Sequence, residues 1–101
     1  MIEVKTKEQF EKETATGKIL VVLGSAWCKP CSNLSRTLEA MGDALNCKVV
    51  KVDVDVLPEL AGRFAVKSVP TLVILQDGKA LQTAVGAMDE AKIKSLVNLH
   101  R

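Results

Sequence analysis

Trp27-Cys28-Lys29-Pro30-Cys31 closely follows the apolar run Ile19-Leu20-Val21-Val22-Leu23, and these two stretches decide the fold. A continuous apolar and β-branched run of this length is typical of a central strand buried on both faces. Pro30 suits the first turn of a helix, where its missing N–H would have no intrahelical partner. The two cysteines therefore lie at the start of a helix that follows a buried strand. The unpaired N–H groups and partial positive charge of a helix N-terminus favour a thiolate over a thiol.

The rest of the chain alternates between predicted strands and helices. Thr6 and Gln9 fit a capping box at the start of the first helix, and Asp77-Gly78 marks a hairpin. We expect strands over residues 2–4, 19–23, 49–54, 71–75 and 81–85, and helices over about 7–14, 28–45 and 58–64 and from 89 onward. The order is βαβαβαββα. Helical crossovers imply parallel pairing in the first half, and the hairpin implies an antiparallel end to the sheet.

Size and composition limit the function classes. The chain has 101 residues, 48% of them apolar, which is enough for one domain (1–101) with one core. The net charge of +2 is nearly balanced, and no basic block suggests a nucleic-acid surface. Residues 1–5 lack the pattern of a signal peptide, and no apolar run approaches the roughly 20 residues that span a bilayer. We therefore expect a soluble cytoplasmic protein with no nucleic-acid or membrane partner.

Three cysteines do not make a stapling framework, and a close pair in a reducing compartment indicates catalysis or metal binding. Zinc usually takes four ligands, and the only other candidates are Cys47 and His100, both distant from the pair in the sequence. We therefore expect redox chemistry with no metal and no other cofactor. Cys47 is expected to be a small buried hydrophobe at a strand start, with regulatory oxidation or dimerisation as the alternative. His100 is expected at the surface or capping the last helix.

The element order, with Trp-Cys-x-Pro-Cys after the second strand, resembles the thioredoxin family over essentially the whole chain. Val69-Pro70 is similar to the family's cis-proline loop, and Gly86 to the glycine that ends the last strand beside the active site. Lys51 matches a third-strand lysine that lies below the cysteines, although a solvated strand residue is an equal alternative. The resemblance implies an α/β thioredoxin fold, a central mixed five-stranded sheet flanked by helices.

The resemblance also implies a thiol-disulfide oxidoreductase that reduces protein disulfides through a dithiol/disulfide cycle. Cys28 would be the nucleophile, and more exposed than Cys31, the resolving cysteine. The residues expected to tune the site are Trp27, Lys29, Pro30, Lys51 and Pro70. The residues expected to rim the substrate groove are Gly24, Ser25, Trp27, Val69, Gly86 and Ala87.

The partners implied are protein disulfides and a thioredoxin reductase, with the chain acting as a monomer. The alternatives are a glutaredoxin-type reductase that uses glutathione and a thioredoxin-like binding subunit with a non-catalytic role. The sequence lacks the Pro-Tyr or Pro-Phe usual between glutaredoxin cysteines. The intact cysteine pair argues against a purely structural subunit.

Four positions depart from the family pattern. Gly24 and Arg36 replace a tryptophan and a proline, Lys29 replaces the commonest glycine of the motif, and Val22 replaces a buried aspartate. We expect Lys29 to favour the Cys28 thiolate and to make the protein somewhat more oxidising, an effect that solvent screening keeps small. Because Val22 supplies no base for Cys31, we expect Lys51 or water to assist instead. Asp53 and Asp55 alternate on one predicted strand face, where solvation is the simpler expectation.

Overall fold

The computed structural model describes residues 1–99, so the expectations for His100 lie outside the described part. The elements are β1 (Ile2–Val4), α1 (Lys7–Thr14), β2 (Lys18–Gly24), α2 (Lys29–Met41), a 3₁₀ turn (Gly42–Leu45), β3 (Lys48–Asp53), α3 (Pro58–Arg63), β4 (Thr71–Gln76), β5 (Lys79–Val85) and α4 (Glu90–Asn98). The predicted order βαβαβαββα is confirmed, with one 3₁₀ turn added after α2.

The five strands form one sheet in the order β1-β3-β2-β4-β5. β3 pairs in parallel with both β1 and β2, whereas β4 pairs antiparallel with β2 and with β5. The mixed sheet is as predicted, and β2 lies at its centre. Val22 on β2 is paired with Lys51 on β3 and with Leu72 on β4. The chain runs from this central strand, which ends at Gly24, into α2, which begins at Lys29.

Alternate residues of β2 face two separate cores. Leu20 and Val22 pack with the apolar residues of α2 and α4, whereas Val21 and Leu23 pack with Phe10 of α1 and with residues around α3. This division follows from the strand geometry, in which successive side chains point to opposite faces. Both faces of the sheet are therefore covered, which explains the uninterrupted apolar run in the sequence.

The predicted helix from Cys28 to Leu45 is shorter than expected. Gly42 adopts φ +50°, and its backbone N–H donates to the carbonyl O of Leu38. Glycine takes this left-handed φ at little cost, so the α-helix ends at Met41 and a 3₁₀ turn carries the chain to Leu45. The apolar spacing still holds, because Met41 and Leu45 are both buried.

The Asp77-Gly78 hairpin joins β4 to β5 as predicted. Thr6 caps α1 as predicted, but the second bond of the capping box comes from Lys5 rather than from Thr6. The Thr6 hydroxyl accepts from the Gln9 N–H at 3.1 Å, and the Gln9 side chain accepts from the Lys5 N–H at 2.9 Å. At the hairpin, Asp77 accepts from the Gly17 N–H at 2.7 Å through its carboxylate. That hydrogen bond is the main reason why the pKa of the Asp77 carboxyl is lowered. None of the helices within residues 1–99 is long and apolar enough to cross a membrane.

Candidate active site

The two cysteines of the motif are joined by a disulfide at the start of α2. Cys28 is the N-cap residue, with φ −87° and ψ 110°, and its Sγ accepts from the Cys31 N–H at 3.2 Å. The Cys28 N–H in turn donates to the carbonyl O of Ser25 at 3.3 Å. Pro30 occupies the first turn, as predicted. Helix capping thus sets the position of the Cys28 sulfur and aims one backbone donor at it.

Cys28 is not more exposed than Cys31, contrary to the expectation from sequence. Both cysteines are 5% exposed. Neighbouring residues therefore cover both cysteines to the same extent. The two cysteines differ instead in what they face. Cys28 lines a wide groove, and Cys31 lines a smaller cavity on the other side of the disulfide.

The groove on the Cys28 side has a volume of about 550 Å³. It is lined by Trp27, Cys28, Lys29, Pro30, Val54, Ala61, Val66, Lys67, Ser68 and Val69. The peptide bond between Val69 and Pro70 is cis, and the carbonyl O of Val69 lies 3.8 Å from Sγ of Cys28. Two residues expected at a substrate groove, Trp27 and Val69, therefore lie along this one, whereas the sequence did not indicate the apolar wall made by Val54, Ala61 and Val66.

Gly86 and Ala87 lie at the end of β5, beside the Val69-Pro70 loop. The Gly86 N–H donates to the carbonyl O of Pro70 at 2.8 Å, and Gly86 adopts φ +101°. Within residues 1–99, neither Gly86 nor Ala87 is among the residues that line the groove. The structure therefore ties Gly86 to the loop that reaches Cys28, and Ala87 follows it in the chain.

Trp27 has a hydrogen-bond partner that sequence reasoning missed. Its side chain is exposed, and its indole N–H donates to Oδ2 of Asp55 at 3.0 Å. β3 ends at Asp53, so Asp55 does not continue the strand face assigned to it from the alternating pattern. The N–H of Asp55 instead donates to Oδ1 of Asp53 at 2.8 Å, in a turn. The sequence could have indicated this contact, because parallel strands such as β2 and β3 end at the same edge of a sheet and the loops that follow them lie close together.

Gly24 lies on the Cys31 side of the disulfide, away from the groove that it was expected to rim. A Cβ on Gly24 would lie 3.0 Å from Sγ of Cys31. Gly24 and Cys31 share a cavity of about 210 Å³. The full lining is Glu3, Gly24, Ser25, Ala26, Cys31, Ser32, Lys51, Val52 and Asp53. Because Gly24 ends β2 directly beneath α2, its position packs against the helix rather than facing solvent. Ser25, also expected at the groove, lies on this same cavity.

Val22 and Lys51 lie in one row of the sheet below the cysteines. Val22 is 2% exposed and belongs to the core between the sheet and α2, so it offers no group that could exchange a proton. Lys51 is half-buried and lines the cavity that Cys31 also lines. The structure thus brings the predicted lysine to Cys31 rather than to Cys28.

Cys47 is separate from this site, just before β3, and it is half-buried rather than buried. Burial raises the pKa of its thiol, while the positive charge of Lys18 and a backbone hydrogen bond at Leu20 act in the opposite direction. Within residues 1–99 no group of three His, Cys, Asp or Glu side chains is placed to hold a metal ion.

Comparison with known proteins relates this site to one family. The family model described as Thioredoxin matches residues 1–99. Thioredoxin of Bacillus subtilis is 40% identical over 99 residues, covering 94% of this chain and 93% of its own length. Thioredoxin of Chlamydia trachomatis is 34% identical, and the match covers all of both chains. The solved structure of a mutant thioredoxin from Halobacterium salinarum superposes with a TM-score of 0.89 at 29% identity, over 98% of this chain and 88% of that one.

Proposed function

Because the chain belongs to the thioredoxin family and carries the Cys28–Cys31 pair, it is a protein thiol-disulfide oxidoreductase, and we propose that Cys28 is its nucleophile and Cys31 its resolving cysteine. The observation that carries this assignment is the position of Cys28. It caps α2 and lines the large groove, whereas Cys31 faces the smaller cavity behind. A substrate in the groove meets the Cys28 sulfur first.

In the first step the Cys28 thiolate attacks one sulfur of a substrate disulfide. A mixed disulfide forms between Cys28 and the substrate, and the other substrate sulfur leaves as a thiolate that takes a proton from solvent. The Cys31 N–H, which points at Sγ of Cys28, supports the negative charge on Cys28 before the attack. The positive end of α2 acts in the same direction.

In the second step Cys31 loses its proton and attacks Sγ of Cys28. The bond between Cys28 and the substrate breaks, the substrate sulfur leaves as a thiolate that takes a proton from solvent, and the Cys28–Cys31 disulfide closes. The structure is in that oxidised state. A reductase must then return two electrons to restore the dithiol, and the family implies such a partner in general.

We propose that the groove takes an extended segment of the substrate polypeptide. Val69 offers its backbone beside Cys28, the cis Pro70 shapes that loop, and Gly86 holds the loop through its hydrogen bond to Pro70. Ala87 adds a small surface next to Gly86. The apolar wall of the groove suits side chains of many kinds, which is consistent with broad specificity.

The finer assignments are part of the same proposal. We propose that the reductase is a thioredoxin reductase and that the chain acts as a cytoplasmic monomer with one domain over residues 1–101. Trp27, Lys29, Pro30 and Lys51 would tune the site. Glutaredoxin-type chemistry and a purely non-catalytic subunit are not favoured, because the matching family and the curated relatives are thioredoxins.

The assignment is tested by trapping. With dithiothreitol as electron donor, the parent should reduce the disulfides of insulin, and both Cys28→Ser and Cys31→Ser should lose turnover. Mixed with a disulfide-containing protein, Cys31→Ser should accumulate a mixed disulfide at Cys28, whereas Cys28→Ser should not trap substrate in this way. Trapping by Cys28→Ser alone would reverse the two roles. Turnover of the parent only with glutathione would support the glutaredoxin alternative.

A further inference from the structure

The cavity behind the disulfide is polar, unlike the groove in front of it. Its volume is about 210 Å³, which is room for several water molecules, since each occupies about 30 Å³ in the liquid. Besides Cys31, the residues that line it include one basic residue, Lys51, one buried serine, Ser25, and two acidic residues, Glu3 and Asp53. Polar groups of both charges therefore surround one side of the resolving cysteine.

Ser25 is the unexplained member of this set. It is 8% exposed, and within residues 1–99 its hydroxyl Oγ finds no hydrogen-bond partner. Its backbone is fixed, because its carbonyl O accepts from the Cys28 N–H. A buried hydroxyl without a partner is destabilising, and such groups are usually satisfied by a buried water when the site is roomy and polar. The cavity beside Ser25 is both roomy and polar.

Lys51 also lines this cavity, and the pairing of its strand with the neighbouring strands explains why. It is paired with Glu3 on β1 and with Val22 on β2. Paired residues of neighbouring strands point to the same face of the sheet, and Val22 points toward α2. Lys51 therefore points toward the start of α2 as well, so a cation lies on the side of the sheet that Cys31 faces.

We propose that Ser25 is a positioning residue for the resolving step: its hydroxyl holds a cavity water between Lys51 and Sγ of Cys31. This inference rests on the proposed role of Cys31. The Cys31 thiol passes its proton to that water and from there to solvent through the cavity mouth. Its sulfur then forms the bond to Sγ of Cys28, and the bond between Cys28 and the substrate breaks. The electron pair leaves with the substrate sulfur, which is protonated by solvent, and Lys51 stabilises the Cys31 thiolate in between.

The test separates the two thiol reactions in one experiment. Reduced protein, with Cys47→Ser in the parent and in every variant so that only the active-site thiols react, is mixed in a stopped-flow instrument with 5,5′-dithiobis(2-nitrobenzoate). The reagent releases one coloured thiolate when Cys28 attacks and a second when Cys31 resolves. The rate of the first phase rises with reagent concentration, and that of the second does not. Ser25→Ala should slow the second phase about fivefold, as expected for one lost hydrogen bond, and move its pH midpoint upward. The first phase should be unchanged.

Three further variants serve as controls for Ser25→Ala. Ser25→Thr, which keeps the hydroxyl, should restore the second phase, and Lys51→Met should slow it as Ser25→Ala does. Ser32→Ala removes an exposed hydroxyl from the rim of the same cavity and should leave both phases at the parent rates. Thermal unfolding of Ser25→Ala should occur at or below the parent midpoint, because a hydroxyl that holds water stabilises the fold.

The inference is overturned if Ser25→Ala keeps the parent second phase, slows both phases equally, or unfolds at a higher temperature than the parent. An equal effect of Ser32→Ala would overturn it as well. Failure of the underlying assignment looks different. In that case the fast first phase would persist in Cys28→Ser and be lost in Cys31→Ser, whatever the residue at position 25.

Discussion

Gly24 and Cys31 meet at the junction between the central strand and the active-site helix, where a Cβ on Gly24 would lie 3.0 Å from Sγ and 3.1 Å from Cβ of Cys31. Glycine lets the first turn of α2 lie directly on the end of β2. Since the contact is with the resolving cysteine itself, the size of residue 24 determines how closely Cys31 approaches the sheet.

Gly24→Ala should lower the free energy of unfolding of the oxidised protein by about 1 kcal/mol, because the start of α2 must move by a few tenths of an ångström. Urea unfolding followed by circular dichroism measures this. Gly62→Ala in α3 is the matched control: within the described residues a Cβ there meets nothing within 4 Å. It should raise the free energy of unfolding by about 0.5–1 kcal/mol through helix propensity. Equal stability of Gly24→Ala and the parent would show that the helix adapts freely.

Val22→Asp should make the resolving step faster and more dependent on pH, since it puts a carboxylate under Cys31 and next to Lys51. The same change should lower the free energy of unfolding by about 3 kcal/mol, because residue 22 is buried in an apolar core. Single-turnover release of the second thiolate from pH 5 to 9 measures the first effect. Val22→Asn, which is polar but cannot take the proton, is the control. If Val22→Asp resolves at the parent rate throughout, the apolar residue has no bearing on proton handling.

Lys29→Gly should move the pH midpoint of Cys28 thiolate formation upward by a few tenths of a unit, because it removes an exposed positive charge beside the thiolate. Weaker support of the thiolate makes the reduced form less stable, so the variant should also be less oxidising. Thiolate absorbance in the ultraviolet follows the first effect, and equilibration with a known dithiol couple follows the second. Lys29→Arg keeps the charge and should behave like the parent. An unshifted midpoint in Lys29→Gly would exclude a role for this charge.

Asp55→Ala should free the side chain of Trp27 by removing the acceptor of its indole N–H. Trp27 is the only tryptophan of the chain, so its fluorescence anisotropy should fall without interference. If Trp27 helps to seat substrates, kcat/KM for insulin reduction should fall about threefold, in keeping with one exposed hydrogen bond. Asp55→Asn keeps an acceptor for the indole N–H, so its anisotropy and kcat/KM should fall less than those of Asp55→Ala. Unchanged anisotropy in Asp55→Ala would mean that other contacts hold the ring.

Cys47 should react slowly with iodoacetamide at pH 8, because burial raises the pKa of its thiol above the ordinary value of 9.0 and leaves less thiolate. In the oxidised protein Cys47 is the one free thiol among the described residues, so mass spectrometry reports on it alone. The rate should rise when denaturant unfolds the chain. Native alkylation as fast as in denaturant would contradict this interpretation and favour a regulatory role.

The same raised pKa has a consequence for stability. The folded thiol keeps its proton to a higher pH than the unfolded one, so this contribution to stability is fully present below pH 9.0 and is lost as the pH rises through the raised pKa. Urea titrations at several pH values above 9 should therefore show a smaller decline in Cys47→Ser than in the parent. An identical decline in the two proteins would assign the loss to other groups.

Local patterns in the sequence were enough to predict most of the fold. The apolar run of β2, the capping box at Thr6 and the Asp77-Gly78 hairpin each depend on residues close together in the chain. The end of α2 was predicted too late. Apolar spacing continues to Leu45, and only the backbone conformation at Gly42 ends the α-helix there.

The sequence by itself determined the element order, the mixed sheet and the place of the cysteine pair at a helix start, because these follow from side-chain periodicity and backbone preferences over a few residues. Only the tertiary structure decided what surrounds the pair. Trp27 meets Asp55 because two parallel strands end at one edge, and Gly24 lies under Cys31 because α2 packs on β2. The equal burial of the two cysteines also results from how the elements pack around them. Such contacts depend on how whole elements pack in space, which no local pattern encodes.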